Sequence, residues 1–259
     1  MLLAVDVGNT NVTLALFDGE RLAADWRVTS HRERTADELA VELRQLFELR
    51  GFELSIVDGV VISSVVPNIN PALLEASRRY LNCEPVMVGP GVKTGVRIRY
   101  ENPKDVGADR IANALAAYTK YGGPVIVIDF GTAVTYDAIS VDGDYLGGAI
   151  APGVDISLNA LVSHTAMLRR VEAVAPDSVI GRNTVASIQS GLMWGFVAQV
   201  EGMVERMIAE LGGKARVVAT GGQAALVAEL THVIEATDPL LTLEGLRLIY
   251  AQNSDGGAR

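Results

Sequence analysis

The 259-residue sequence is 49% hydrophobic and 20% charged, a balance that excludes a disordered chain and leaves room for one large domain or two modest ones. Its net charge of −9 argues against binding DNA or RNA through the phosphate backbone, which needs a basic surface; a local site for a small phosphorylated ligand stays open. The single cysteine, Cys83, rules out an internal disulfide framework and fits a reducing cytosol.

In chain order, Leu2–Thr13 (LLAVDVGNTNVT) opens as an apolar run and continues with Asp6, Gly8 and the hydroxyls of Thr10 and Thr13. No basic segment precedes the run and Asp6 interrupts it, so it reads as a strand rather than a signal peptide. No stretch is apolar for long enough to span a bilayer, and a cytoplasmic location is expected. A second apolar run ends at Asp18-Gly19, a hairpin signal because residues at the centre of such turns favour positive φ. Leu22–Val28 reads as a third strand. Thr35–Leu49 has helical spacing, with Leu39, Leu43, Leu46 and Leu49 on one stripe and a capping box between Thr35 and Glu38.

Gly59–Val66 is the next buried strand, stopped by Pro67; its Ser63-Ser64 pair either approaches a ligand or simply hydrogen-bonds at a strand end. A short helix over Pro71–Leu81, a strand over Pro85–Val88, the Gly89-Pro90-Gly91 turn, an extended Val96–Tyr100 and a loop over Glu101–Asp105 follow. Three strands, helix, strand, helix, strand is a mixed α/β layer. Then Gly107-Ala-Asp-Arg110 stands directly ahead of an Ala-rich helix, Arg110–Tyr121. Asp109 has two readings there: the N-cap of that helix, or a general base beside a guanidinium aimed at an anion.

Val125–Thr135 (VIVIDFGTAVT) nearly copies the opening: Asp129, Gly131, Thr132, Thr135, then Asp142-Gly143. One copy alone would pass for an ordinary hairpin whose acid caps a turn. Two copies, one heading each half, point to a phosphate clamp built twice. Glycine lets the backbone approach an anion, the turn's N–H groups and Thr hydroxyls donate to phosphate oxygens, and the carboxylates hold the accompanying cations.

Tyr145–Gly153 (YLGGAIAPG) reads as a turn-rich passage before a helix over Val154–Ser163, its glycines either presenting N–H groups to an anion or making sharp turns. His164, Arg169 and Arg170 fall in a loop. His31 and His232 lie far off in sequence, so no zinc-ligand spacing exists. Thr184–Leu211 is a long helical pattern with Thr184 as N-cap and Gly191, Gly195 and Gly202 along one side. Each glycine costs a helix about 1 kcal/mol relative to Ala, so the stripe implies a close neighbour, from a second subunit or from the same chain. Arg216–Gly222 is a buried strand ending in Thr220-Gly221-Gly222, suited to the flat face of a base or sugar at the ligand-binding edge of an α/β sheet. Helices over Ala224–Leu230 and Leu243–Ala251 and a frayed tail, Ser254–Arg259, complete the chain.

Taken together, five motifs in order resemble those of the acetate and sugar kinase, Hsc70 and actin superfamily, and within it the type III pantothenate kinases. They are Asp6-Val-Gly-Asn-Thr-Asn11, Gly107-Ala-Asp-Arg110, Asp129-Phe-Gly-Thr-Ala-Val-Thr135, Gly147-Gly-Ala-Ile-Ala-Pro-Gly153 and Thr220-Gly-Gly222. The resemblance spans most of the chain; the tail after about Gln252 matches nothing. It implies an α/β protein of two related ribonuclease H-like (actin-like ATPase) domains, residues 1–115 and 116–259, each a mixed sheet with flanking helices, with the active-site cleft between them.

The resemblance further implies transfer of the ATP γ-phosphoryl group to the primary hydroxyl of pantothenate, the first committed step towards coenzyme A. Asp109 would accept the hydroxyl proton. Tyr100, Gly107, Ala108, Asp109, Arg110 and Thr184 would hold pantothenate. Asp6, Val7, Gly8, Asn9, Thr10, Asn11, Val12 and Thr13, with Gly131, Thr132, Gly221 and Gly222, would hold ATP. Mg²⁺ would arrive with ATP, near Asp6, and Asp129 would bind a monovalent cation, K⁺ or NH₄⁺. A homodimer is implied, with no nucleic-acid or membrane partner. Two alternatives remain open on the residues: another kinase or phosphohydrolase of the superfamily, which Gly107–Arg110 and the compact length disfavour, and a nucleotide-binding regulatory homologue without turnover, which the intact Asp6, Asp109 and Asp129 disfavour.

Overall fold

The computed structural model describes residues 1–165, 168 and 170–254; Arg169 and the expected tail beyond Ser254 lie outside the described residues. The chain divides into two compact units. The first comprises Met1–Ala116 and the chain from Leu240 onward; the second is Ala117–Pro239.

In the first unit, β1 (Leu2–Val7), β2 (Asn11–Asp18) and β3 (Arg21–Thr29) form an antiparallel meander. β4 (Gly59–Ser64) and the two-residue β5 (Val86–Met87) then run parallel to β1, giving the order β3-β2-β1-β4-β5. β1 is buried on both faces up to Asp6, as its unbroken apolar run requires. The β2–β3 turn is Gly19-Glu20; Gly19 alone takes a left-handed φ, +60°, and Asp18 stays on the strand opposite Arg21.

One face of this sheet carries α1 (Ala36–Leu49) and α2 (Asn70–Tyr80). The Thr35–Glu38 capping box is present at the start of α1. The buried stripe of α1 is Ala36, Leu39, Ala40 and Phe47; Leu49, expected on it, is 80% exposed. Phe47 lies within the stripe and its ring stacks on Trp26 at 5.0 Å, whereas Leu49, two residues on, turns to the opposite side of the helix.

The other face receives α3 (Ala108–Tyr121) and α7 (Leu241–Ser254). Leu243, Leu246 and Ile249 of α7 pack with Leu2, Ala4, Ala15 and Phe17. Gly245 has no room for a Cβ, which would fall on the Ala112 backbone of α3. The expected domain 116–259 therefore loses its last helix to the first unit, since that helix buries its apolar stripe on the N-terminal sheet.

The second unit repeats the plan. β6 (Val125–Phe130), β7 (Ala133–Ile139) and β8 (Tyr145–Pro152) form the antiparallel meander. After α4 (Val154–Ser163) and the 27-residue α5 (Thr184–Glu210), β9 (Arg216–Thr220) and, beyond α6 (Ala224–Ala228), β10 (Ala236–Thr237) add in parallel. The order β10-β9-β6-β7-β8 matches the first sheet strand for strand. The passage expected to be turn-rich, Tyr145–Gly153, is β8 as far as Pro152. Its irregularity is confined to a bulge at Ala138/Ile139, opposite which Gly147 takes φ +124°.

Candidate functional site

In the first unit, Asp6 is the last half-buried position of β1, facing Thr13 on β2 and Ser63 on β4 as register partners. Partners directly opposite on neighbouring strands project to one face, so the carboxylate stands between two hydroxyl side chains. Ser63 is fully buried and its Oγ has no hydrogen-bond partner among the described residues, a donor held in reserve at the sheet end. The turn after β1 is tight: Gly8 N–H donates to the Asn11 carbonyl at 2.9 Å, and a Cβ on Gly8 would come to 3.0 Å from that oxygen. Asn9 and Thr10 are exposed, while Asn11 and Thr13 are half-buried. Val7 is fully buried and Val12 packs on the core, so these two can offer a ligand main-chain groups only.

α3 places the second group of this unit. Ile111 N–H donates to the Gly107 carbonyl at 3.2 Å, so the cap position belongs to Gly107, and Asp109 lies inside the first turn rather than at the N-cap. The Asp109 carboxylate folds back over the helix start, accepting from Arg110 N–H at 2.8 Å; a side chain on Gly107 would collide with Asp109 Oδ1. Burial pushes the Asp109 carboxyl above its ordinary value, against the pull of the Arg110 N–H and guanidinium and of its own backbone N–H. Arg110 is 7% exposed and Tyr100 is 37% exposed. The loop before α3 contains a 3-10 turn at Pro103–Asp105 whose N-cap is Asn102.

In the second unit, Asp129 occupies the place on β6 that Asp6 has on β1. Its register partners are again hydroxyl residues, Thr135 on β7 and Thr220 on β9. The turn is one residue shorter than its counterpart: Gly131 N–H donates to Ala133 O at 3.0 Å. Two further motifs converge on it. Gly153 N–H donates to Thr132 O at 3.2 Å, and a Cβ there would strike the Thr132 main chain. Gly221, at φ +91°, has no room for a Cβ, which would fall 2.5 Å from Asp129 Oδ1 and 2.6 Å from the Phe130 carbonyl. Gly222, Gly131 and Thr132 are exposed around it. Gly147 and Gly148 sit far along β8, opposite Ala138 and Asp137, and are not part of this group.

The side chains at this strand end, Asp129 with Thr135 and Thr220 as register partners, carry oxygens, the donor type of hard cations such as K⁺ and Mg²⁺. Among the described residues no group of three or more His, Cys, Asp or Glu side chains assembles. A divalent ion carried by a nucleotide, with phosphates and water as most of its ligands, suits such sparse carboxylates.

Thr184 is the first residue of α5 and is exposed; the cap is its neighbour Asn183, whose side chain accepts from Ala186 N–H at 2.9 Å. It lines an open groove of about 770 Å³ with Ser157, Leu161, Arg182, Ser187 and Gly191. Gly191 and Gly195 face open space, with nothing within 4 Å of a Cβ at either, so no element of this chain packs on that stripe among the described residues. Sequence reasoning missed Asp137 on β7 and Tyr145 at the start of β8, both fully buried and linked to the turn through Thr135, to which Asp137 is hydrogen-bonded. A lone acid in an apolar strand was the available signal.

A family model described as type III pantothenate kinase matches residues 2–206. The type III pantothenate kinase of Moorella thermoacetica is 55% identical over 254 residues, covering 98% of this chain and 100% of that protein. Among solved structures, a conserved protein assigned to the Baf family of transcriptional activators from Campylobacter jejuni superposes with a TM-score of 0.63 at 20% identity, covering 98% of this chain and 99% of the other. The inorganic polyphosphate/ATP-glucomannokinase of an Arthrobacter species superposes with a TM-score of 0.52 at 14% identity, covering 97% and 98%. At such identities these two structures speak to fold alone, that of actin-like ATPases and sugar kinases.

Proposed function

The chain belongs to the type III pantothenate kinase family, and from that premise we propose how its residues phosphorylate pantothenate with ATP to give 4'-phosphopantothenate, the first step of coenzyme A synthesis. The observation that carries the assignment is Asp109: a carboxylate held over the first turn of α3, raised in pKa by burial, next to a buried arginine. Phosphoryl transfer is mainly positioning and charge neutralisation. The acceptor hydroxyl loses its proton late in a loose transition state, so a hydrogen-bonding carboxylate suffices to orient it and then take the proton. Asp109 performs that role, and Arg110 offers its guanidinium to the anionic end of pantothenate. Gly107, Ala108, Tyr100 and Thr184 complete the acceptor's contacts.

ATP phosphates are bound by the Asp6–Thr13 turn, with N–H groups and hydroxyls of Gly8, Asn9, Thr10, Asn11 and Thr13, and by Gly131 and Thr132; Gly221 and Gly222 accept the nucleoside. Val7 and Val12 contribute backbone only. A divalent ion such as Mg²⁺ accompanies ATP, with Asp6 on its protein side. Asp129 would hold K⁺ or NH₄⁺, which would supply neutralisation of phosphate charge; the hydroxyl residues Thr135 and Thr220 at its register positions support this role. The open glycine stripe of α5, beside exposed Ile156, Leu161, Val179, Ile180 and Val185, supports a homodimer. No helix among the described residues is long and apolar enough to cross a membrane, and a cytoplasmic enzyme fits that.

A coupled ADP-release assay with pantothenate, with and without K⁺, on wild type and Asp109→Asn tests the reading. The expected result is pantothenate-dependent, K⁺-stimulated turnover that collapses in the variant. Equal turnover in the two proteins would remove Asp109 from the mechanism.

A further inference from the structure

The two turns share a plan but differ in what lies two residues further along the second strand. In the second unit that position is Asp137, fully buried on β7. Two hydroxyls donate into it: Tyr145 Oη to Oδ1 at 2.8 Å, and Thr135 Oγ1 to Oδ2 at 3.1 Å. In the first unit the equivalent of Thr135 is Thr13, opposite Asp6, and two residues on stands Ala15, fully buried and without a polar atom in its side chain.

The difference fixes polarity. A hydroxyl has one proton to give and two lone pairs, whereas an ionised carboxylate only accepts. Thr135 has committed its proton to Asp137, so what it presents on its remaining sides is oxygen lone pair. Its register partner Asp129 is also an oxygen acceptor, with side chains at opposed positions about 4.5–5.5 Å apart at Cβ. A cation lying between them would take oxygen ligands from both. Thr13, with Ala15 behind it, has no such constraint from that position and can donate its proton to an anion.

We propose that Thr135 is an oxygen ligand of the monovalent cation bound at Asp129, with Asp137 and Tyr145 as positioning residues that turn its lone pairs toward that ion. The proposal rests on the reading of Asp129 as the cation site. It assigns the duplicated turns opposite characters: the first donates to phosphate, and the second accepts a cation. Tyr145 matters because its hydroxyl donates to Oδ1 of Asp137 and so orients the carboxylate whose Oδ2 accepts from Thr135.

The test is thermal unfolding of the full chain in the presence of ATP without pantothenate, titrated with KCl against choline chloride at constant ionic strength. Wild type is expected to show a saturable, K⁺-specific rise in Tm. Thr135→Val and Asp137→Asn are expected to move the half-saturating K⁺ concentration up by about tenfold or more, the usual loss when a ligand or its supporting partner is removed. In Asp137→Asn the amide can donate to Thr135 and release its proton toward Asp129, reversing the polarity. Thr135→Ser is expected to restore the wild-type midpoint, and Tyr145→Phe to shift it in the same direction by less. Should Asp137→Asn fail to fold, Tyr145→Phe and the Val/Ser pair at Thr135 decide the matter. A K⁺ response that is lost in Asp129→Asn but unmoved in Thr135→Val and Tyr145→Phe overturns the proposal and leaves the Asp129 site standing. A wild type indifferent to K⁺ overturns both.

Discussion

Gly221 lies so close to Asp129 that a Cβ on it would stand 2.5 Å from the carboxylate Oδ1 and 2.6 Å from the Phe130 carbonyl. The strand-end glycine and the acid belong to β9 and β6, which pair in parallel, with Thr220 opposite Asp129. A side chain at 221 would meet both a strained φ of +91° and an occupied space. Gly221→Ala should lower stability by about 1–3 kcal/mol, the cost of a disfavoured backbone conformation, and raise the KM for ATP more than that for pantothenate. Thermal denaturation and initial-rate kinetics check it; an unchanged KM for ATP would separate Gly221 from the nucleotide.

Asp109 gives a prediction of opposite sign for stability. Its folded-state pKa is raised above the ordinary 3.8, chiefly by burial. The carboxyl's contribution to stability is therefore present in full below the unfolded pKa and is lost as pH rises through the folded one. At neutral pH its charge opposes folding. Asp109→Asn should unfold no lower than wild type, with a small gain in Tm at pH 7, while kcat falls by about 10²–10⁴-fold. The acid limb of kcat/KM in wild type should lie above the normal carboxylate range. A limb at or below 3.8 would rule out Asp109 as the titrating base.

The glycine stripe of α5 separates an open face from a docked one. In an isolated chain, Gly191→Ala meets nothing within 4 Å and should stabilise the helix by about 1 kcal/mol. Where a second copy packs on the stripe, Gly191→Leu should instead drive the protein to monomer in sedimentation velocity runs. Leucine at 191 with no change in mass would place the dimer contact elsewhere.

Tyr136 is fully buried, its hydroxyl has no hydrogen-bond partner among the described residues, and burial pushes its pKa up to about 12. The unfolded chain ionises this phenol near 10 while the folded one keeps the proton, so stability contributed below pH 10 drains away as pH climbs toward 12. Tyr136→Phe removes an orphaned polar atom and should be neutral or stabilising by about 1 kcal/mol at pH 7. Its denaturant midpoint should also fall less steeply than that of wild type above pH 10.

Much of this arrangement is visible in the chain before any coordinates. The repeat of Asp6–Thr13 in Asp129–Thr135 marks two equivalent strand ends because local order alone sets an acid, a glycine and a hydroxyl on one turn. What stays hidden depends on contacts distant in sequence. Nothing local tells that α7 seats on β1 and β2 rather than on the nearer second sheet. The matching strand order escapes notice because β5 and β10 are two residues long. Caps slip by one or two positions, Asn183 for Thr184 and Gly107 for Asp109, since neighbouring polar residues compete for the same amides. Tyr145–Pro152 hides its strand because glycines at a bulge resemble a loop.

The return of α7 to the first sheet also orders events at the ribosome. Ala117–Pro239 is one unbroken stretch and can close on itself once it has emerged. The half made first must wait: Leu2, Ala4 and Phe17, which Ala112 and Leu115 of α3 cover only in part, lack Leu243, Leu246 and Ile249 until these arrive more than two hundred residues later. At about 5–20 residues per second that is a delay of tens of seconds at the slow end, with part of an apolar sheet face open to chaperones meanwhile. The oldest part of the nascent chain thus waits for one of the younger ones, and the arrival of α7, rather than synthesis of the sheet, sets when the first unit is complete.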